Sequence, residues 1–152
     1  MTSDTLTMDD LPGLAGRELG PSSWQRITQD DIDVYADLTG DDNPIHVDEA
    51  AAASSPFGER IAHGMLTLSM VVLPLREIYR VSDARMGIVY GYNRIRFPRP
   101  VPSGGRVRLR ATVAEVTAIS EGFQVTLALT FELEGAGDKP AVAAELVLRH
   151  YR

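Results

Sequence analysis

Residues 40–48, GDDNPIHVD, place side chains that can exchange protons on a short, stiff piece of chain. The proline in this segment pushes the residue before it, Asn43, out of the helical region, so we expect the chain to turn there. A carboxylate and an imidazole on either side of such a turn can face one cleft, where they can hold a water molecule or share a proton transfer. The candidates are His46 with either Asp41 or Asp42, and the spacing alone does not choose between the two aspartates.

The same segment also has an ordinary structural explanation. Aspartate and asparagine are common in turns because their side chains bond the neighbouring backbone. Asp41, Asp42 and Asn43 would then be solvated turn residues, and His46 would be a core residue with satisfied ring nitrogens. Both explanations stay open on the residues alone.

A second candidate is the segment FGERIAHGML, residues 57–66. If Gly64 begins a helix, its backbone N–H has no acceptor within that helix, and its missing side chain lets a ligand approach closely. Such a donor stabilises an oxygen that gains negative charge, by about 3 to 4 kcal/mol in acyl-transfer enzymes. The structural alternatives are close packing of helix on sheet for Gly64 and a structural hydrogen bond for His63. The hydroxyl of Ser69 needs either a ligand or a carbonyl in the preceding turn.

Several other chemistries lack the residues that they require. The chain contains no cysteine, which excludes disulfides, thiolate metal sites and cysteine nucleophiles. The histidines at positions 46, 63 and 150 do not have zinc-site spacing, and no glycine-rich phosphate-binding motif is present. We therefore expect no metal and no redox or nucleotide cofactor. The formal net charge of -6 argues against a nucleic-acid partner, which binds a basic surface.

Capping residues and apolar spacing predict the helices that must position these groups. Thr28 and Asp31 form a capping-box variant, which predicts a helix from there to Gly40, the residue that ends it. Asp48 can cap a second short helix over residues 49–53. A third helix is expected over the run GMLTLSMVVL. Because this run is apolar almost all round, we expect protein to enclose the helix on every side.

After about residue 87 apolar and polar residues alternate, which is the period of a β-strand. Together with the apolar helix, this alternation predicts an α+β fold in which an antiparallel sheet curls around that helix. We expect one domain over residues 1–152, with residues 1–15 as a loosely ordered N-terminal extension. The predicted strands are 24–27, 88–97, 107–113, 123–133 and 141–149.

The sequence gives no indication of a membrane segment. Its most apolar run, residues 65–75, contains a threonine, a serine and a proline and is shorter than the roughly 20 residues that cross a bilayer. The first twenty residues have neither the basic start nor the apolar core of a secretory signal. We expect a cytoplasmic protein that makes no membrane contact.

Three segments resemble one known family. ADLTGDDNPIHVD (36–48), FGERIAHGML (57–66) and RIRFPRPVPSGGRVR (94–108) resemble the MaoC-like dehydratases, the (R)-specific enoyl-CoA hydratases of the hot-dog fold. The chain also resembles proteins described as nodulation-protein-N-like. The likeness covers about residues 20–150. It implies an antiparallel sheet wrapped around a long buried central helix, in a chain that forms a homodimer.

The resemblance also implies roles for individual residues. Asp41 and His46 fall on the family's catalytic positions, and Gly64 falls on the backbone N–H of its oxyanion hole. Asn43 matches a residue that shapes the loop, and Ser69 matches a supporting serine near the thioester. The implied reaction is reversible syn addition of water to a trans-2-enoyl thioester. The implied substrate carrier is coenzyme A or acyl-carrier protein, so coenzyme A is part of the substrate and no cofactor is implied.

Two alternative functions remain to be weighed, and the role of the arginine cluster is open. Some hot-dog chains are non-catalytic or partner-dependent subunits, but these would be expected to lack the aspartate or the histidine, and this chain has both. A thioesterase would need an acid on the central helix, and residues 64–73 contain none. The arginine cluster at positions 94 to 110 either binds phosphates of the substrate carrier or forms a solvated strand face.

Overall fold

The computed structural model of the protein describes residues 5–152, which form short helices and an antiparallel sheet. The first predicted helix is confirmed in its bounds, its Thr28 cap and its Gly40 end. The second is also confirmed, with the Asp48 side chain accepting a bond from the Ala51 N–H. The helices are α1 (Gln29–Thr39), α2 (Pro44–Val47), α3 (Glu49–Ala53), α4 (Gly64–Ser69) and α5 (Val72–Ile78), and a 3-10 helix spans Met8–Gly13.

The strands form one main sheet and one small pair. The main sheet is six-stranded, and all its pairings are antiparallel. The strands are β1 (Thr5–Leu6), β2 (Glu18–Leu19), β3 (Gln25–Arg26), β4 (Arg80–Val81), β5 (Met86–Arg96), β6 (Arg106–Ile119), β7 (Gly122–Leu133) and β8 (Val142–Tyr151). Their order is β2-β6-β7-β8-β5, with β3 also pairing with β6. The predicted strands are thereby confirmed, and β5 lies at one end of the sheet.

One face of this sheet packs on the helical segment α4 and α5. Alternate residues of β6, β7 and β8 point inward because successive side chains of a strand lie on opposite faces. They join Leu66, Leu68, Val71 and Leu75 of the helical segment in one hydrophobic cluster. The inward residues are Val107, Leu109, Ala111, Val113, Val125, Leu127, Leu129, Phe131, Val142, Ala144, Leu146 and Leu148. The predicted α+β layout, with a sheet around a helical core, is confirmed.

The central helical segment differs from the expected long, fully enclosed helix. It is divided into α4 and α5, with Met70 ending the first. Pro74 lies four residues after Met70, and a proline cannot donate to the carbonyl at that spacing, which its ring also crowds. The segment is also open on one side, where Met65 is 46% and Leu73 62% exposed.

The N-terminal residues that the structure describes are packed, so the expected loose extension is wrong for residues 5–15. β1 pairs in parallel with β4, and Met8 and Leu11 are buried in the core. These apolar side chains occupy core positions, which orders the segment despite its polar neighbours. Residues 1–4 lie outside the described part. Within that part, no helix has the length and hydropathy that a membrane crossing requires.

Candidate active site

The candidate site begins where α1 ends. Gly40 adopts a left-handed conformation (φ 78°), and its N–H bonds the Ala36 carbonyl. A residue with a side chain is disfavoured in this conformation, which explains the glycine. Asp41 follows directly, on an exposed stretch of chain. The sequence prediction that Gly40 stops the helix just before Asp41 is confirmed.

The next residues form a short helix where only a turn was predicted. The Asn43 side chain caps α2 by accepting a bond from the Ile45 N–H, and Pro44 occupies the first turn. A proline suits this position because its missing N–H would have no helical acceptor there. The signal was therefore present in the sequence as Asn-Pro. Helix α2 carries His46 into the interior, where it is 7% exposed.

One hydrogen bond of the ring and one of the backbone hold His46, and the ring bond defines its tautomer. The ring Nδ1 lies 2.7 Å from the Ile61 carbonyl oxygen, and a carbonyl only accepts, so Nδ1 carries the hydrogen. The lone pair of the neutral ring is then on Nε2, where it can take a proton. The backbone carbonyl of His46 also accepts a bond from the Gln29 side chain at 2.8 Å.

His63 is packed against this histidine. The two rings stack with centroids 3.8 Å apart, and the Nε2–H of His63 donates to the backbone carbonyl of Asp41 at 2.9 Å. His63 is 3% exposed. The structural hydrogen bond considered for His63 in the sequence therefore exists, and its acceptor belongs to a candidate catalytic residue.

The structure brings Asp41, rather than Asp42, to the two histidines. A carboxylate oxygen of Asp41 and a ring nitrogen of each of His46 and His63 all lie within 4.8 Å of one another. A water that bonds two groups at about 2.8 Å each can bridge a separation of up to about 5.5 Å. The aspartate and His46 are therefore spaced to share one water molecule.

The stacking of the two rings does not suit a metal ion shared between them. A metal bound by an imidazole lies in the ring plane, about 3 Å from the ring centre. In rings stacked with centres 3.8 Å apart and planes tilted by only 29°, the in-plane lone pairs run roughly side by side rather than towards a common point. His46 and His63 therefore do not converge on one ion, although their nitrogens are close together.

Gly64 begins α4 next to this cluster. Its N–H has no hydrogen-bond acceptor anywhere in residues 5–152, as expected for the first residue of a helix. The ring of Phe97 lies 2.5 Å from the place where a β-carbon of residue 64 would be. The missing side chain is thus explained by Phe97, which is the packing alternative raised for this glycine, while the N–H remains available to a ligand.

A cavity of about 170 Å³ opens between these elements. It has His46 and Gly64 in its wall, and most of the other lining residues are apolar. The lining residues are His46, Phe57, Ile61, Ala62, Gly64, Thr67, Phe97, Arg99, Pro100, Val101 and Ala141. A larger cavity, of about 500 Å³, crosses the main sheet near Glu18, Arg94 and Arg110. Its lining includes none of the candidate catalytic residues, so we assign the chemistry to the smaller one.

Ser69 is not brought to this site within the chain. Its hydroxyl donates to the Met65 carbonyl at 2.7 Å, which is the back-bonding alternative considered in the sequence. Ser69 instead lines a different cavity, with Gln25 and Arg76. The other candidates all belong to the loop and helix starts around the smaller cavity. They are Asp41, Asn43, His46 and Gly64.

Three members of the arginine cluster are paired with glutamates. On the outer face of the sheet, Arg108 and Arg110 both pair with Glu132, and Arg106 pairs with Glu134. Burial raises the pKa of the Glu132 carboxyl, but the bonds from Arg108 and Arg110 outweigh it, so the pKa is lowered overall. This group is a paired strand face.

Arg99 is not part of this paired strand face. It lines the smaller cavity, and its Nε donates to the Lys139 carbonyl at 3.2 Å. It has no acidic partner among residues 5–152. Its terminal nitrogens are therefore not committed to a carboxylate, and Arg99 is the member of the cluster that lines the smaller cavity.

The fold and the site together define a class: a hot-dog protein with an aspartate and a histidine beside a cavity in its wall. Residues 11–132 match the family described as MaoC like domain, and the chain belongs to this family. The resemblance found in the sequence is thereby confirmed.

Individual relatives agree with this assignment. 3-Hydroxyacyl-thioester dehydratase Z of Mycobacterium tuberculosis is 42% identical over 142 residues, which are 93% of each chain. Nodulation protein N of Rhizobium leguminosarum bv. viciae is 39% identical over 145 residues, which are 93% of this chain and 89% of the relative. An unliganded R-hydratase from Pseudomonas aeruginosa superposes with a TM-score of 0.76 at 26% identity, covering 97% of this chain and 87% of that one. The expected hot-dog fold is confirmed.

Proposed function

We propose that this protein is an (R)-specific enoyl-thioester hydratase, equally a 3-hydroxyacyl-thioester dehydratase. The observation that carries the proposal is the Asp41 carboxylate within 4.8 Å of the His46 ring, beside a cavity whose wall contains Gly64. The dehydratase and R-hydratase names of the similar proteins support it. The reaction is a reversible syn addition of water to a trans-2-enoyl thioester.

In this mechanism Asp41 and His46 orient one water molecule between them. His46 accepts a proton at Nε2, because Nδ1–H is already bonded to the Ile61 carbonyl. The water oxygen bonds to C3 of the substrate as its O–H bond breaks and its proton passes to the Asp41–His46 pair. The pair delivers a proton to C2 on the same face, which returns both side chains to their starting state. The free N–H of Gly64 stabilises the thioester oxygen while it carries enolate-like negative charge. In the dehydration direction each step is reversed.

The substrate carrier enters as part of the substrate. Arg99 lines the same cavity as His46, and its terminal nitrogens can bond an anionic group of coenzyme A or of an acyl-carrier protein. Apolar lining residues such as Ile61 and Val101 suit an acyl chain. The reaction needs no metal and no separate cofactor, since the proton transfers use only side chains and water.

The active form is proposed to be a homodimer joined through β5. This strand lies at the end of the main sheet and carries Met86, Val89 and Tyr90, which are 46%, 47% and 57% exposed. A long apolar edge strand is a template for pairing with another chain. Light scattering should give about twice the chain mass of 16.6 kDa, and Val89→Lys should give the single-chain mass. A wild-type protein that stays at the single-chain mass contradicts the dimer.

We also place the protein in the cytoplasm. The absence of cysteine from all 152 residues suits a reducing compartment, where disulfides do not form. Fractionation of the source cells with an antibody to the protein tests this location.

The decisive experiment is hydration of crotonyl-CoA, followed as loss of the enoyl absorbance, with the chirality of the product determined. We expect wild-type protein to give the (3R)-hydroxy product and Asp41→Asn to lose at least about 100-fold in kcat. A long-chain enoyl-CoA and an enoyl-carrier-protein thioester are assayed in parallel. Inactivity on all three substrates, or a (3S) product, contradicts the proposal.

A further inference from the structure

His63 contacts three separate parts of the site, although the mechanism above gives it no role. Its Nε2–H bonds the Asp41 carbonyl at 2.9 Å, and its ring stacks on His46 at 3.8 Å. It is also the cap residue directly before Gly64. One buried side chain thus joins the carboxylate loop, the base and the start of the donor helix.

The loop that carries Asp41 has few other attachments. The Asp41 N–H reaches the Thr39 hydroxyl at 3.3 Å, and Asn43 bonds only residues of its own short helix. Across residues 5–152, the His63 bond is the only hydrogen bond that ties residues 41–43 to a part of the chain more than three positions away. Since residues 40–44 are exposed, packing does not replace this bond.

We propose that His63 is a positioning residue of the reaction, which holds Asp41 through its N–H and His46 through its ring face. This inference rests on the proposed function, because it concerns the geometry of the same water-activating pair. His63 does not touch the reacting atoms. It sets the separation between the carboxylate and the base, and a misplacement of about 1 Å at such a pair costs up to about 100-fold in rate.

The two contacts of His63 can be removed separately. The Asp41 carbonyl only accepts, so His63 carries its hydrogen on Nε2. The other nitrogen, Nδ1, is buried and has no partner among the described residues, so it contributes no bond that a substitution would break. His63→Phe keeps an aromatic face for His46 and loses the N–H donor. His63→Gln keeps an N–H donor at similar reach and loses the face.

The first experiment measures kcat and KM of these two variants with the enoyl thioester that wild-type protein hydrates. We expect His63→Phe to lower kcat by about 10- to 100-fold with KM changed less than threefold, because binding groups stay in place while the pair is displaced. His63→Gln should recover kcat to within about tenfold of wild type, since the loop is held again. Unchanged kcat in His63→Phe overturns the proposal.

A double-mutant cycle then separates positioning from general damage. If His63 acts through Asp41, adding His63→Phe to Asp41→Asn should lower kcat by less than about threefold further, because residues that act as a unit are not additive. If His63→Phe lowers kcat as much in Asp41→Asn as it does in wild type, His63 has a merely structural role and the proposal is overturned. Tyr79→Phe is the control for disturbing a buried hydrogen bond elsewhere, here that to His150. It should leave kcat within twofold.

Hydrogen exchange tests the same inference without any activity. In His63→Phe, the hydrogen-bonded amides of Asp41, Ile45 and His46 should exchange at least about tenfold faster than in wild type, while those in the middle of α1 stay unchanged. Unchanged exchange of these amides overturns the proposal that His63 holds the loop, whatever the kcat of the variant. If wild-type protein hydrates no thioester but the loop still loosens, the proposed function fails, and His63 retains only its structural tether.

Discussion

The cavity wall and the outer face of the sheet differ in whether their polar groups have partners. On the outer face, Arg108 and Arg110 share Glu132, so these charges satisfy one another. At the cavity, Nε2 of His46 is free to take a proton and the N–H of Gly64 has no acceptor in residues 5–152. An unpaired polar group costs stability when it is buried. Polar groups that are paired with one another therefore contribute to the folded structure. Polar groups that lack a partner beside a cavity are the candidates for catalysis.

The comparison also applies to the buried histidines. His150 bonds the Tyr79 hydroxyl through Nε2 at 2.9 Å, in the core and away from the cavity. His46 and His150 are similarly buried, at 7% and 8% exposure. Burial alone therefore does not identify a catalytic histidine. What distinguishes His46 is its place beside the Asp41 carboxylate and in the wall of the smaller cavity.

The largest expected effect comes from a matched pair of histidine substitutions. His46→Gln should lower kcat by at least about 100-fold, because the general base is lost. His150→Gln should leave kcat within about twofold, since its bond to Tyr79 serves the core. Steady-state hydration kinetics measure both. Equal losses in the two variants would break the distinction between paired and available groups.

A smaller effect is expected at Gly64. An added methyl group would meet the Phe97 ring at 2.5 Å, so Gly64→Ala should lower the free energy of unfolding by about 1 to 3 kcal/mol. We also expect kcat to fall by about tenfold, because the displaced helix start misplaces the N–H donor. Thermal denaturation and hydration kinetics give the two values.

The double variant Gly64→Ala with Phe97→Ala is the control for this clash. Removing the ring relieves the contact, so the midpoint of the double variant should lie closer to that of Phe97→Ala alone than a sum of the two losses predicts. Simple addition of the losses would show that Phe97 is not what requires the glycine.

A smaller effect is expected from substituting Arg99, compared with Arg106 on the outer face. Arg99→Gln should raise KM for an enoyl-CoA by about three- to tenfold, because its terminal nitrogens can bond an anionic group of the carrier. Arg106→Gln, on the outer face, should leave KM unchanged, since Arg106 is paired with Glu134. An equal rise in both variants would point to long-range attraction by net charge, and this is checked by repeating the assay at high salt.

The smallest effect concerns stability alone. Burial lowers the pKa of His150 below its usual 6.5. As pH falls below about 6.5, the unfolded chain therefore binds a proton that the folded chain does not, and the free energy of unfolding decreases. Above that pH both states are neutral at this residue and it contributes no slope.

The measurement is the unfolding midpoint between about pH 7.5 and pH 5, above the range where carboxylates titrate. Wild type should lose stability on acidification through this window, and His150→Gln should lose less. An identical slope in the two proteins would show that other groups cause it, while kcat per folded molecule stays that of wild type in either case.

Much of the local structure was predictable because its causes are local. The capping box of Thr28 and Asp31 and the left-handed Gly40 involve residues within a few positions of one another. The alternation in β6 and β7 likewise predicts strands from neighbouring residues. The N-terminal residues were the exception. A loose extension was expected there, but Met8 and Leu11 are buried in a core that other elements build.

The site was only partly predictable. Asp41, His46 and Gly64 could be named from their motifs, with the resemblance to a known family choosing Asp41. Ser69 could be named in the same way, yet its hydroxyl bonds the Met65 carbonyl. Its place depends on how the helical segment sits against the sheet, which no short motif records.

The sequence by itself therefore determined the ends of α1, the strand period and the residue types able to move a proton. Tertiary structure decided which of these residues meet. His63 reaches Asp41 across a separation of 22 residues, and Phe97, just after the end of β5, covers Gly64. The physical reason is range: capping and alternation act between neighbours in the chain, whereas side-chain contacts across the fold depend on strand register and packing.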